Sequence, residues 1–178
     1  MASILTGAAR AAHSAAATVV SAAQIQAGAD IPVKPVKEDD PAKHVQLGLV
    51  GKNIILGVPG AFTPTCSSQV PQYIADYDKY KEKGVNDIYV VAVNDVYVTK
   101  AWKKHLASSG TGVRFISDDK GEFVSSLGLV FDATELLGGP RSKRFVIVAQ
   151  DGKVAFIAIE EDVSQSTVTA SNKVLALL

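Results

Sequence analysis

Cys66 is the single cysteine of the 178-residue chain, preceded by Pro59-Gly60-Ala61-Phe62-Thr63-Pro64-Thr65 and followed by Ser67. A cysteine does chemistry as its thiolate, which attacks electrophiles, binds metals or climbs the oxidation ladder. Thr63-Pro64 has the form of a helix start, with Thr as the cap and Pro just inside. Cys66 then falls in the first turn, where unpaired N–H groups and the positive end of the helix dipole favour thiolate over thiol. Thr63, three residues earlier, can set its hydroxyl beside the sulfur, and Pro59 can shield the pocket from bulk water. A lone cysteine is equally a small buried hydrophobe, and composition does not choose between the two.

Other chemistries find less support. No Cys-x-x-Cys is present, since Ser67-Ser68-Gln69 follows Cys66, so a dithiol oxidoreductase is disfavoured. His13, His44 and His105, with one cysteine, match no zinc spacing, and no cofactor or metal is expected. Gly138-Gly139-Pro140 lacks phosphate-loop spacing and reads as a flexible turn. Trp102 and the tyrosines read as packing residues. One cysteine cannot close an internal disulfide, which excludes a disulfide-stapled secreted domain and points to a reducing compartment. Eighteen Lys and Arg balance eighteen Asp and Glu, so neither nucleic acid nor a membrane surface is expected as a partner. No apolar run approaches the roughly 20 residues of a membrane-spanning helix.

The elements that must position Cys66 follow from the hydrophobic pattern. Asn53 to Val58 and Ile88 to Val93 are short, nearly continuous apolar runs, the signature of strands covered on both faces. Val45 to Leu49 is expected as a further short strand and Val113 to Ser117 as another. Helical spacing runs from Thr63-Pro64 through Val70, Ile74 and Tyr77 until Lys83-Gly84. Thr99 to Leu106, Glu122 to Leu127 and Thr169 to Leu178 complete the helices. Arg144 to Ala149 and Lys153 to Ile159 flank Gln150-Asp151-Gly152, the strongest hairpin signal in the chain. Strand–helix alternation gives parallel pairing and the hairpin adds an antiparallel edge. The expected fold is α/β and thioredoxin-like, a mixed central sheet with helices on both faces.

Pro59-x-x-x-Thr63-x-x-Cys66 resembles the active-site signature of the peroxiredoxins. The longer run from Gly57 to Ser67 is similar to the peroxiredoxin-5 subfamily in particular. The likeness continues through Val93-Asn94-Asp95, Trp102, Lys143-Arg144-Phe145 and Gln150-Asp151-Gly152, covering roughly residues 24 to 178. It implies a thiol peroxidase in antioxidant defence, in which Cys66 attacks the O–O bond of hydrogen peroxide or an alkyl hydroperoxide. It implies that the Thr63 hydroxyl contacts both sulfur and peroxide, and that Pro59 packs over the pocket. Arg144 matches the arginine that holds the thiolate and polarises the peroxide, with Arg141 nearby as the alternative. The resemblance also implies the backbone N–H of Gly60 or of Cys66 as a further donor to a peroxide oxygen. The resemblance also suggests a homodimer.

The sequence departs from many of those relatives where they carry a second, resolving cysteine. The corresponding stretch here, about Ser164 to Ser171, contains none. The thiol that condenses with an oxidised Cys66 must therefore come from outside the chain, with glutathione and glutaredoxin, or thioredoxin, the expected reductants. A peroxide sensor without efficient turnover is the rival reading. Residues 1 to 23 are Ala-rich with interspersed Ser and Thr, hold Arg10 as their only fixed charge, and read as a mitochondrial transit peptide or a disordered tail. Residues 24 to 178 then form the peroxiredoxin domain, in the mitochondrion or, alternatively, the cytoplasm.

Overall fold

The computed structural model describes residues 24–178. The reading of residues 1–23 as transit peptide or tail lies outside the described residues. In chain order the strands are β1 (Lys52–Val58), β2 (Val85–Ala92), β3 (Arg114–Ser117), β4 (Val130–Ala133), β5 (Gly139–Ser142), β6 (Phe145–Gln150) and β7 (Lys153–Ile159). The helices are α1 (Pro64–Ala75), α2 (Tyr77–Glu82), α3 (Val96–Leu106), α4 (Glu122–Ser126), α5 (Thr134–Leu137) and α6 (Ser171–Leu175).

Five strands form one mixed sheet in the order β3-β2-β1-β6-β7. β1 pairs parallel with β2, and β2 with β3, while β6 runs antiparallel to both β1 and β7. The apolar runs read as doubly covered strands are β1 and β2, and their side chains, like those of the hairpin strand β6, alternate between two cores. Ile54, Leu56, Val58, Ile88, Val90, Val146 and Val148 pack with Val70, Tyr73, Tyr80, Trp102 and Val174 of the helices on one face. Ile55, Tyr89, Val91, Ile116, Phe145 and Ile147 pack with Phe123, Val124 and Leu127 around α4 on the other. This is the thioredoxin-like arrangement with helices on both faces. The hairpin forms as expected: Asp151 (φ 50°) and Gly152 (φ 78°) make a two-residue turn with both φ positive, matching the right-handed twist of its strands.

Several elements differ from the sequence pattern. The helical run after Thr63 breaks at Asp76 (φ −91°, ψ 7°), giving α1 and α2 in place of one helix. α3 begins three residues before Thr99, because the Asp95 carboxylate accepts from Val98 N–H at 3.0 Å and caps an earlier turn. Val45–Leu49 forms no strand and contributes one isolated bridge, Val36 to Val45. The expected C-terminal helix contracts to α6. Gly138-Gly139-Pro140 is no flexible turn: Gly138 (φ 78°) ends α5, and Gly139 opens β5, which pairs antiparallel with β4. Pro140 fits there because a two-stranded ribbon leaves each strand one unpaired edge.

Candidate active site

β1 ends at Val58 and delivers the buried Pro59 and Gly60 to the start of α1. The backbone turns sharply at Phe62 (φ 62°), a left-handed conformation unusual for a bulky residue. Two contacts hold it. Asn94 Oδ1 accepts from Ala61 N–H at 3.0 Å, and the Phe62 ring lies 5.7 Å from His105 and 6.5 Å from Trp102. Thr63 is the cap residue in extended conformation, and the first helical bond runs from Ser67 N–H to Thr63 O at 2.9 Å. Cys66 thus sits in the first turn, ahead of that ladder, with its N–H at the positive end of the dipole. It is also completely buried (0% exposed), so the two sequence readings meet in one residue: a packed thiol at a helix start.

Arg144 reaches it from the other end of the chain. Phe145 points into the α4-side core, so strand alternation turns Arg144 to the opposite face, the one α1 covers. Its Nη2 lies 3.4 Å from Cys66 Sγ. Nη1 donates to Gln69 Oε1 at 2.6 Å, while Nε and Nη2 donate to the Val163 carbonyl at 3.0 and 2.8 Å. Arg144 as a whole is 1% exposed, and its guanidinium is held on three sides. Arg141, the alternative, points elsewhere: Nη1 donates to Val93 O and Nη2 to Leu137 O at 2.7 Å.

Thr63 behaves differently from its expected contact. Its hydroxyl donates to Gly60 O at 2.9 Å, which ties the turn and leaves only its lone pairs for other partners. Trp102 does more than pack, since its Nε1 donates to Ser67 Oγ, 3.2 Å away and next to the cysteine. Three residues that the sequence pattern did not single out complete the surroundings. Gln69 Nε2 donates to Thr169 O (3.0 Å) and Thr169 Oγ1 (2.8 Å), and Tyr73 OH donates to Thr169 O at 2.6 Å. Glu160, 5% exposed, accepts at Oε1 from Thr167 N–H (2.7 Å), Thr169 N–H and Thr169 Oγ1 (both 2.8 Å), and at Oε2 from Thr167 Oγ1 (2.7 Å). Gln69 carried a faint signal, being three residues after Cys66 and hence one turn along the same helix face. Glu160 and Thr169 carried none. Among the described residues no cluster of three or more His, Cys, Asp or Glu could hold a metal ion.

A buried thiol with a fixed guanidinium at hydrogen-bond range can stabilise a thiolate and the charge that leaves it during attack. Comparison with known proteins narrows this chemistry. Residues 26–175 match the redoxin family profile. The chain is 46% identical over 155 residues to the peroxisomal membrane associated protein 20 of Schizosaccharomyces pombe, covering 86% of this chain and 99% of that one. It is 44% identical over 130 residues to peroxiredoxin-2C of Oryza sativa, covering 72% of this chain and 79% of the relative. The chain belongs to the peroxiredoxin family. Within that family it is peroxiredoxin-5-like: the crystal structure of peroxiredoxin 5 from Alvinella pompejana superposes with a TM-score of 0.77 at 33% identity, over 85% of this chain and 96% of that one. As a peroxiredoxin it is a thiol peroxidase, an oxidoreductase that takes a peroxide as oxidant and a thiol as reductant.

Proposed function

We propose that this peroxiredoxin reduces hydrogen peroxide and alkyl hydroperoxides through Cys66 by a one-cysteine mechanism. The observation that carries the reading is Arg144 Nη2 at 3.4 Å from the buried Cys66 Sγ. The thiolate attacks one peroxide oxygen, the O–O bond breaks, and Cys66 becomes a sulfenic acid. The second oxygen leaves as hydroxide or alkoxide and takes up a proton, giving water or an alcohol. Arg144 stabilises the sulfur before attack and the oxygens during it, without giving up a proton of its own. Pro59 walls the pocket, the Thr63 lone pairs face the bound peroxide, and the N–H groups of Gly60 or Cys66 supply further donors.

With one cysteine in the sequence, resolution uses a thiol from outside the chain. The incoming thiol attacks the sulfenic sulfur and releases water, and a second thiol reduces the mixed disulfide to restore Cys66. Glutathione with glutaredoxin, or thioredoxin, fills this role in our reading. Residues 24–178 form the catalytic unit, two copies assemble, and the Ala-rich leader directs the chain to mitochondria. The test is peroxide consumption with each thiol donor: Cys66→Ser abolishes it, and retained turnover in that variant sinks the reading. The total burial of Cys66 favours one rival, a peroxide sensor whose oxidised form is slowly reduced. Stoichiometric oxidation without turnover under any donor would select it.

A further inference from the structure

Arg144 could not hold its place on Cys66 by strand position alone, because a long guanidinium side chain has many rotamers. Four of its donor contacts are made, and two of them end on one carbonyl, Val163 O. That carbonyl belongs to a loop, residues 160–169, with no helix or strand of its own. Thr65 Oγ1 holds its middle at the Ser164 carbonyl (2.9 Å), and Glu160 joins its two ends. Glu160 begins it, where its N–H donates to Arg144 O at 2.9 Å and extends the β6–β7 ladder by one bond. The Glu160 carboxylate then gathers the far end through the four donors of Thr167 and Thr169. Closing the loop sets Val163 O against the guanidinium and turns the Thr169 carbonyl and hydroxyl towards Gln69.

The bonds also share one direction. Arg144 Nη1 donates to Gln69 Oε1, Gln69 Nε2 donates to Thr169 Oγ1, and Thr169 Oγ1 donates to Glu160 Oε1. A side-chain amide can present either end to a neighbour. Here the acceptors at Thr169 take its NH2, so its oxygen faces Arg144. From these bonds we propose that Glu160 is a positioning residue for the peroxide chemistry, acting on Arg144 through the Val163 carbonyl and through Thr169 and Gln69. It touches neither Cys66 nor any reacting atom. The inference rests on the peroxidase reading of Cys66 and deepens it.

Three variants test it, each compared with wild type in peroxide rate constant and in the pH profile of Cys66 alkylation. Glu160→Ala removes all four acceptor contacts; the rate falls roughly tenfold or more, and alkylation shifts to higher pH, as loss of charge-assisted contacts around Arg144 requires. Glu160→Gln keeps an oxygen for the three Oε1 donors, and its NH2 can donate to Thr167 Oγ1, so it restores most of both readouts. Thr169→Val, a milder change should Glu160→Ala not fold, lowers the rate about threefold with the same direction of shift. A fall in melting temperature with neither readout moved, in Glu160→Ala or in Thr169→Val, overturns the inference. Equal impairment in Glu160→Ala and Glu160→Gln also overturns it, since charge rather than acceptor geometry would then matter. Alkylation needs no peroxide, so a wild-type protein without peroxidase activity would refute the peroxidase reading alone.

Discussion

Two arginines in this peroxiredoxin are both fixed by several hydrogen bonds, and they are fixed for different ends. Arg114, at the start of the edge strand β3, makes a fork-to-fork pair with Glu38: Nε to Oε1 at 3.0 Å and Nη2 to Oε2 at 2.6 Å. It also stacks over the Tyr89 ring at 5.0 Å, and these neighbours raise its already high pKa. Its charge is answered by a carboxylate. Arg144, wholly buried, bonds an amide oxygen, a carbonyl and a thiol, and among the described residues no carboxylate touches it. An arginine saturated by a carboxylate is a strap. One held by neutral acceptors keeps its charge for a partner whose own charge changes.

Substitution at the two positions is the strongest way to break that contrast. Arg144→Met should lower the rate constant for peroxide by roughly 10²–10³, the cost of losing one preorganised donor to a developing charge. Arg114→Met should leave that rate unchanged, as stopped-flow oxidation would show. A smaller effect is expected in stability. Arg114→Met removes a pair whose side chains are 31% and 17% exposed. Partial solvation limits its worth to about 1 kcal/mol, a fall of roughly 2–4 °C in Tm by calorimetry.

The smallest effect lies in the pH dependence of two carboxylates. Burial raises the Glu160 pKa, but the hydrogen bonds from Thr167 and Thr169 outweigh it, so the group is held below its ordinary value. Its contribution to stability is therefore present above the unfolded pKa of about 4.3 and is lost as pH falls through the lower folded value. Asp118, which accepts from Phe123 and Val124 N–H at the start of α4, has the opposite sign: burial raises its pKa despite those bonds. Its contribution is present below the unfolded pKa of about 3.9 and is lost as pH rises through the folded value. Urea unfolding against pH should show Glu160→Gln losing less stability in acid than wild type. Asp118→Asn should change the pH slope in the other direction.

Much of this architecture was legible in the residues. β1, β2 and the β6–β7 hairpin are short apolar runs whose pattern marks them as strands, although β2 begins at Val85, three residues before the expected Ile88. Cys66 follows from the strand–helix junction, while Arg144 was reached only through the family resemblance, with Arg141 as its alternative. The β4–β5 ribbon was not legible because Gly138-Gly139-Pro140 has the composition of a turn, and only the pairing with Val130–Ala133 makes β5 a strand. The break at Asp76 is silent in the sequence, since helical spacing continues across it. Thr63 was placed correctly by its cap position, yet its hydroxyl bonds Gly60, a choice that local geometry makes. Beyond the spacing of Gln69 from Cys66, its partners were out of reach for a plain reason, and Glu160 gave no sign because a loop without helix or strand carries no periodicity. Gln69 meets Thr169 across 100 positions and Arg144 across 75, and no local pattern encodes such meetings.

Gly57 stands opposite Phe145 where β1 and β6 pair, and a Cβ built on it would lie 2.0 Å from the Phe145 ring. The ring fills the space that any other residue at 57 would claim. Arg144 is the residue just before β6, so the strand end from which the guanidinium springs sits at a height fixed by the absence of one methyl group. Positions 57 and 145 are thus not free to drift separately. A side chain at 57 demands a smaller residue at 145, and a chain that carries the first change without the second has an arginine that has lost its footing.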